Sequence, residues 1–73
     1  MSRKYEEGPT YEFSCLKKHE TENAVLLIDP ATGEEFWIPL SQISEMHFKH
    51  REDGYPAGTV VMTEWIAKKR GLV

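Results

Sequence analysis

The sequence holds one cysteine, Cys15, in 73 residues, so no disulfide can form within the chain. Small secreted domains commonly rely on such staples. Their lack points to a reducing compartment and leaves core burial, or a partner subunit, to supply stability. Long hydrophobic runs are missing as well. The longest uncharged apolar stretch, AVLLI (Ala24 to Ile28), has strand length and falls far short of the roughly 20 residues that cross a bilayer. The start, MSRKYEEGPT, is polar and lacks the apolar segment of a signal peptide. These features predict a cytoplasmic protein with no membrane association.

Basic charge is also scarce. Twelve acids outnumber nine bases, for a net charge of −3. A domain built to grip nucleic acid is usually basic, because phosphate neutralisation supplies much of its affinity. The acidic balance therefore disfavours nucleic acid as a partner. The bases are split between Lys17, Lys18 and the C-terminal Lys68, Lys69, Arg70.

Metal and cofactor signatures do not occur. There is no CxxC, HExxH or EF-hand pattern and no Gly-rich phosphate loop. On a regular strand His47 and His50 point to opposite faces. Cys15 and His19 share a face there but stand about 13 Å apart at 3.3 Å per residue. No metal and no cofactor is expected. Cys15 shares a strand face with Tyr11 and Phe13, which predicts a buried, inert thiol rather than a nucleophile. Ser41 has no glycine-elbow context. The paired acids Glu34-Glu35 and Glu52-Asp53 read as solvated turn residues, since acid–base work needs a cleft that perturbs their pKa. The expectation is no catalysis.

What the sequence does hold is a β pattern. Size limits it to one domain that buries about 60% of its unfolded surface, and 40% hydrophobic content places it outside the disordered class. Residues 1–10 read as a flexible arm ending at Gly8-Pro9, followed by a single domain over 11–73. Tyr11, Phe13 and Cys15 alternate with Glu12 and Ser14, the period of a half-buried strand. ETEN (20–23) is a turn, and AVLLID reads as a central strand. In DPATGEE, Asp29 can bond the backbone ahead of it, Pro30 pre-sets φ and Gly33 can take positive φ, so a hairpin turn is predicted. Pro39 ends the strand EEFWI, and LSQI forms a tight turn with Ser41 able to cap it. ISEMHFKH alternates again. REDGYPAG reads as a loop, with Tyr55 at its tip, and TVVM as the last strand.

TEWIAKKRG carries helix punctuation. Thr63 is the N-cap, Glu64 sits at the positive end of the dipole, the bases sit at the negative end, and Gly71 is the residue past the C-cap. Trp65 and Ile66, with Leu72, should pin the helix to the sheet. The expected fold is mainly β: a five-stranded bent antiparallel sheet, or an SH3-like or OB-like barrel, with one short C-terminal helix. Its core would comprise Met46, Phe48, Val60, Trp65 and whichever of Phe36 and Trp37 points inward.

Adjacent Phe36 and Trp37 cannot both enter the core of a regular strand. The exposed one, with Tyr55 and the neighbouring Glu34 and Glu35, forms the predicted binding site for a protein partner. An uncovered strand edge would also allow a homodimer. The other reading, an accessory single-stranded nucleic-acid binder, would use Tyr11, Phe13, Phe36, Trp37, Phe48 and Tyr55 as stacking platforms.

Two stretches resemble a known group. Trp37-Ile38-Pro39-Leu40-Ser41-Gln42-Ile43 and Glu64-Trp65-Ile66-Ala67-Lys68-Lys69-Arg70-Gly71-Leu72 resemble small uncharacterised bacteriophage and prophage proteins. These carry a Trp-Ile-Pro-x-Ser-Gln-Ile strand end and a C-terminal Glu-Trp-(Ile/Leu)-Ala-x-Lys-x-Gly-Leu helix. The likeness covers roughly Ala24 to Leu72. Leu40 stands where many relatives carry Lys, which argues against a basic contact at that point. The group has no established catalytic residues to carry over. The resemblance implies a small accessory protein in a bacterial host's cytoplasm. At the level of class, such proteins include inhibitors of host defence, among them anti-CRISPR proteins, which act by covering a host protein surface.

Overall fold

The structure is a computed structural model that describes residues 9–72. Of the arm expected over residues 1–10, residues 1–8 lie outside the described residues. Thr10 already belongs to the first strand.

Five strands form one antiparallel sheet: β1 (Thr10–Glu20), β2 (Ala24–Ile28), β3 (Glu35–Pro39), β4 (Ile43–Glu52) and β5 (Tyr55–Thr63). A 3-10 turn, Leu40–Gln42, joins β3 to β4, and the helix α1 (Glu64–Lys69) follows β5. The spatial order is β3-β2-β1-β5-β4. β3 and β4 are opposite edges that do not pair, so the sheet stays open and neither barrel form applies.

One face of the sheet carries the core. Phe13, Cys15, Val25, Leu27, Ile38, Val60 and Met62 are buried there beneath Ile66 and Ala67 of α1. Tyr11, Phe36, Leu40, Met46, Phe48 and Leu72 pack around them half-buried. The period-2 pattern holds until β-bulges reset it. The β1–β2 register slips at Lys18, and the β4–β5 register slips at Ser44 and Lys49. Each slip moves every later side chain to the other face.

The turns follow local chemistry. Asp29 Oδ1 accepts from the Ala31 N–H at 2.9 Å, and the Asp29 carbonyl accepts from Gly33 N–H at 2.7 Å. Gly33 takes φ 83°. The expected loop over 51–58 is instead a two-residue hairpin. Asp53 and Gly54 take φ 53° and 85°, as a type I′ turn requires, and Pro56, Ala57 and Gly58 lie within β5. Pro56 is tolerated because the β1 ladder ends at Leu16–Ala57, so β5 has β4 alone beside it there. Tyr55 therefore opens a strand, half-buried, instead of sitting at a loop tip.

Helix α1 keeps its predicted caps. Thr63 Oγ1 accepts from Ile66 N–H at 3.2 Å and donates to Gln42 Oε1 at 2.7 Å. At the other end Leu72 N–H bonds the Ala67 carbonyl and Gly71 N–H the Lys68 carbonyl, a Schellman arrangement with Gly71 at φ 77°. Ile66 and Leu72 pack onto the core as expected, but Trp65 does not. Ile66 and Ala67 face the sheet, whereas Trp65 is 60% exposed, with the Lys69 ammonium 5.2 Å from its ring centre. Trp65 is not part of the core. Ser41 makes no capping bond in the 3-10 turn, whose N-cap position is Pro39.

Candidate functional site

Phe36 and Ile38 turn to the core, and the Phe36 ring meets Phe13 edge-on at 6.3 Å. Trp37 consequently faces outward at 44% exposure. It stands opposite half-buried Leu26 in the β2–β3 ladder, next to the Ala24–Pro39 pair. The slip at Lys18 carries His19 to the same outer face, paired with Leu26. Its imidazole meets the Trp37 ring edge-on, 6.2 Å between centres and 89° between planes. Cys15 and His19 therefore lie on opposite faces, not on a shared one.

Lys18, displaced by the bulge, reaches Glu35 Oε2 at 2.8 Å. That hydrogen bond, and then the Glu35 charge, raise the ammonium pKa, with Tyr55 adding a smaller push in the same direction. Glu34 is exposed and serves the turn through its backbone: its N–H bonds Thr32 Oγ1 and its carbonyl accepts from Asp29. Of the five residues predicted as a site, Trp37 and Glu35 alternate onto the outer face of β3, Glu34 lies in the turn before it, Phe36 belongs to the core side, and Tyr55 opens β5, separated from β3 by β2 and β1. Sequence reading missed His19 and Leu26 as neighbours of Trp37 and Lys18 as the partner of Glu35. Their grouping depends on a bulge that alternation does not reveal.

A second surface lies over β4 and β5. The bulge at Lys49 leaves His47 opposite Thr59 and His50 opposite Ala57. Thr59 and Ala57 are two residues apart, so both imidazoles face the same way, contrary to the regular-strand expectation. A hollow of about 320 Å³ lies among His47, Lys49, His50, Gly58 and Thr59. An adjoining one of about 230 Å³ shares His50, Gly58 and Thr59 and extends to Ser14, Pro30 and Glu52. His47 Nε2 lies 3.0 Å from Glu45 Oε1. Among the described residues no three His, Cys, Asp or Glu side chains are grouped to hold a metal ion.

Cys15 is 2% exposed. Burial first, and the Asp29 charge second, push its thiol up to about 12. It is protonated at any physiological pH and shielded from electrophiles. Among the described residues no helix is long and apolar enough to cross a membrane. The chain matches no protein-family model, no curated protein and no solved structure.

Proposed function

We propose that the chain is a non-enzymatic binding module that docks a protein partner through the outer face around Trp37. One observation carries this reading: a half-exposed indole on an edge strand, beside Leu26, Pro39 and the His19 ring. Exposed Trp surrounded by partly apolar neighbours is the composition of an interface hot spot. The net charge of −3, with Glu34 exposed in the turn before β3, disfavours phosphate and favours a protein over nucleic acid. The motif likeness to phage proteins suggests a bacterial host protein, and by class a host-defence complex of the CRISPR type. The mode of action is steric: the preformed sheet face covers a site that the partner needs.

The test compares the wild type with Trp37→Ala, a surface change that leaves the core intact. In bacteria carrying CRISPR-type immunity, wild type should restore plating of a targeted phage and should co-purify with an immunity protein. Trp37→Ala should weaken that association by about 30-fold, as loss of about 2 kcal/mol at a hot spot implies. Unchanged plating with the wild type would overturn the defence reading. Equal partner binding by both proteins would overturn the Trp37 site. Salt-dependent binding to a labelled single-stranded oligonucleotide at low ionic strength would replace the protein partner with nucleic acid.

A further inference from the structure

The two edges of the sheet are not equivalent. β3 is short, and two devices block its outer side. Pro39 has no N–H to offer, and the Trp37 carbonyl accepts from Arg70 Nε at 2.9 Å. β4 is ten residues long and, among the described residues, is paired on one side alone, to β5. Its bulges at Ser44 and Lys49 leave a regular segment between them, Glu45 to Phe48. On the core face of that segment Met46 and Phe48 are half-buried at the rim, with no further strand beyond them. On the outer face stand Glu45, His47 and Lys49, the last sharing a hollow with His47.

We propose that a second copy of this chain adds to the edge of β4, antiparallel, with the two-fold axis at His47. In that register Glu45 of each copy faces Lys49 of the other, and Met46 faces Phe48, each pair occurring twice. Registers displaced by one residue set an apolar face of one copy beside a polar face of the other. A displacement that places the axis at Phe48 sets His47 against Lys49, exchanges the Glu45–Lys49 pairs for Glu45–Arg51, and sets Met46 against His50 instead of Phe48, so it loses the apolar match. Apolar matching therefore chooses the His47 register, and the Glu45–Lys49 pairs are compatible with it. The blocked β3 edge stops further addition, so the assembly closes at two copies instead of growing into a fibre. Trp37 lies on the edge strand farthest from β4, so pairing leaves both Trp37 faces uncovered. The proposal is independent of what Trp37 binds.

Sedimentation velocity on the full chain over a range of concentrations should show a reversible shift from one to two chains. Lys49→Glu should weaken association about ten-fold, since two attractive pairs become repulsive. The double exchange Glu45→Lys with Lys49→Glu should restore it. His47→Cys, placed on the axis, should form an interchain disulfide under mild oxidation, while Ser41→Cys should not; buried Cys15 stays out of the reaction. A chain monomeric up to millimolar concentration would overturn the dimer. Failure of the double exchange to restore association, or cross-linking at Ser41 equal to that at His47, would overturn this edge and register.

Discussion

Gly58 gives the sharpest test of the packing. It pairs with Phe48 where β4 bulges, and the two backbones approach so closely that a Cβ on Gly58 would stand 1.7 Å from the His47 carbonyl oxygen, 2.7 Å from its carbon and 2.8 Å from Phe48 Cα. Non-bonded heavy atoms settle at about 3.5–4.0 Å, so Gly58→Ala forces the strands roughly 1.5–2 Å apart. No flexible side-chain tip is there to yield; all three obstacles are backbone. Overpacking alone costs about 1–3 kcal/mol. Parting the strands also disrupts two or three ladder hydrogen bonds at about 1 kcal/mol each. The total is about 3–6 kcal/mol, against a stability of about 4–11 kcal/mol for a chain of this size. Thermal unfolding followed by circular dichroism should show a midpoint lowered by at least 12 °C, from about 4–8 °C per kcal/mol, or no cooperative transition at all. Gly33→Ala is the control. A Cβ at Gly33 meets open space, but φ is 83°, so the cost is limited to about 1–2 kcal/mol of left-handed backbone strain. If Gly58→Ala lost less than Gly33→Ala, the close approach of β4 and β5 would be wrong.

Three other outcomes follow from the helix and the core. Ile66→Ala should cost about 2–5 kcal/mol in urea unfolding as a cavity forms, whereas Trp65→Ala, which removes an exposed ring and a cation–π contact, should cost under about 1 kcal/mol; the reverse order would mean that α1 docks through its other side. Thr63→Ala should cost about 1–2 kcal/mol in the same assay, because the cap of Ile66 N–H and the bond to Gln42 are lost together, and a neutral result would show that neither bond stabilises the fold. Cys15 has its folded pKa raised to about 12 above an ordinary thiol value of about 8.5. Its contribution is therefore fully present below pH 8.5 and is lost as pH rises toward 12, because the unfolded chain releases the proton first. A thiol reagent at pH 8 should label Cys15 only in denaturant, and rapid labelling of native protein would contradict its burial.

Much of the fold is legible in the residues. Asp29-Pro30 and Gly33 announce their turn, Pro39 announces the end of β3, and Thr63 and Gly71 bracket α1. Each acts through its own backbone chemistry, so neighbours hardly matter. The misreadings share a different cause. Bulges at Lys18 and Lys49 leave no local signature, yet each reverses the alternation after it, which is how His47 and His50 come to one face and His19 leaves the face of Cys15. Pro56 and Gly58 resemble loop formers; the hairpin was already supplied by Asp53-Gly54, and Gly58 is spent on strand contact. Trp65 is the most hydrophobic-looking residue of its segment, but a helix of six residues presents little more than one face, and Ile66 with Ala67 takes it. The exposure of Trp37 follows from alternation once Ile38 is assigned inward, whereas its His19 neighbour required the bulge.

The strand order also sets how this chain must fold. The β1–β2–β3 meander and the β4–β5 hairpin each rest on contacts near in sequence, and hairpins of that kind form in about 1–10 μs. The seam between them pairs Thr10 with Thr63 and Phe13 with Val60, so it closes a loop that spans nearly the whole described chain. Joining the two halves is the slow event. Substitutions along that seam should lower the refolding rate in a chevron experiment, while those at the Arg70–Trp37 clasp should chiefly raise the unfolding rate.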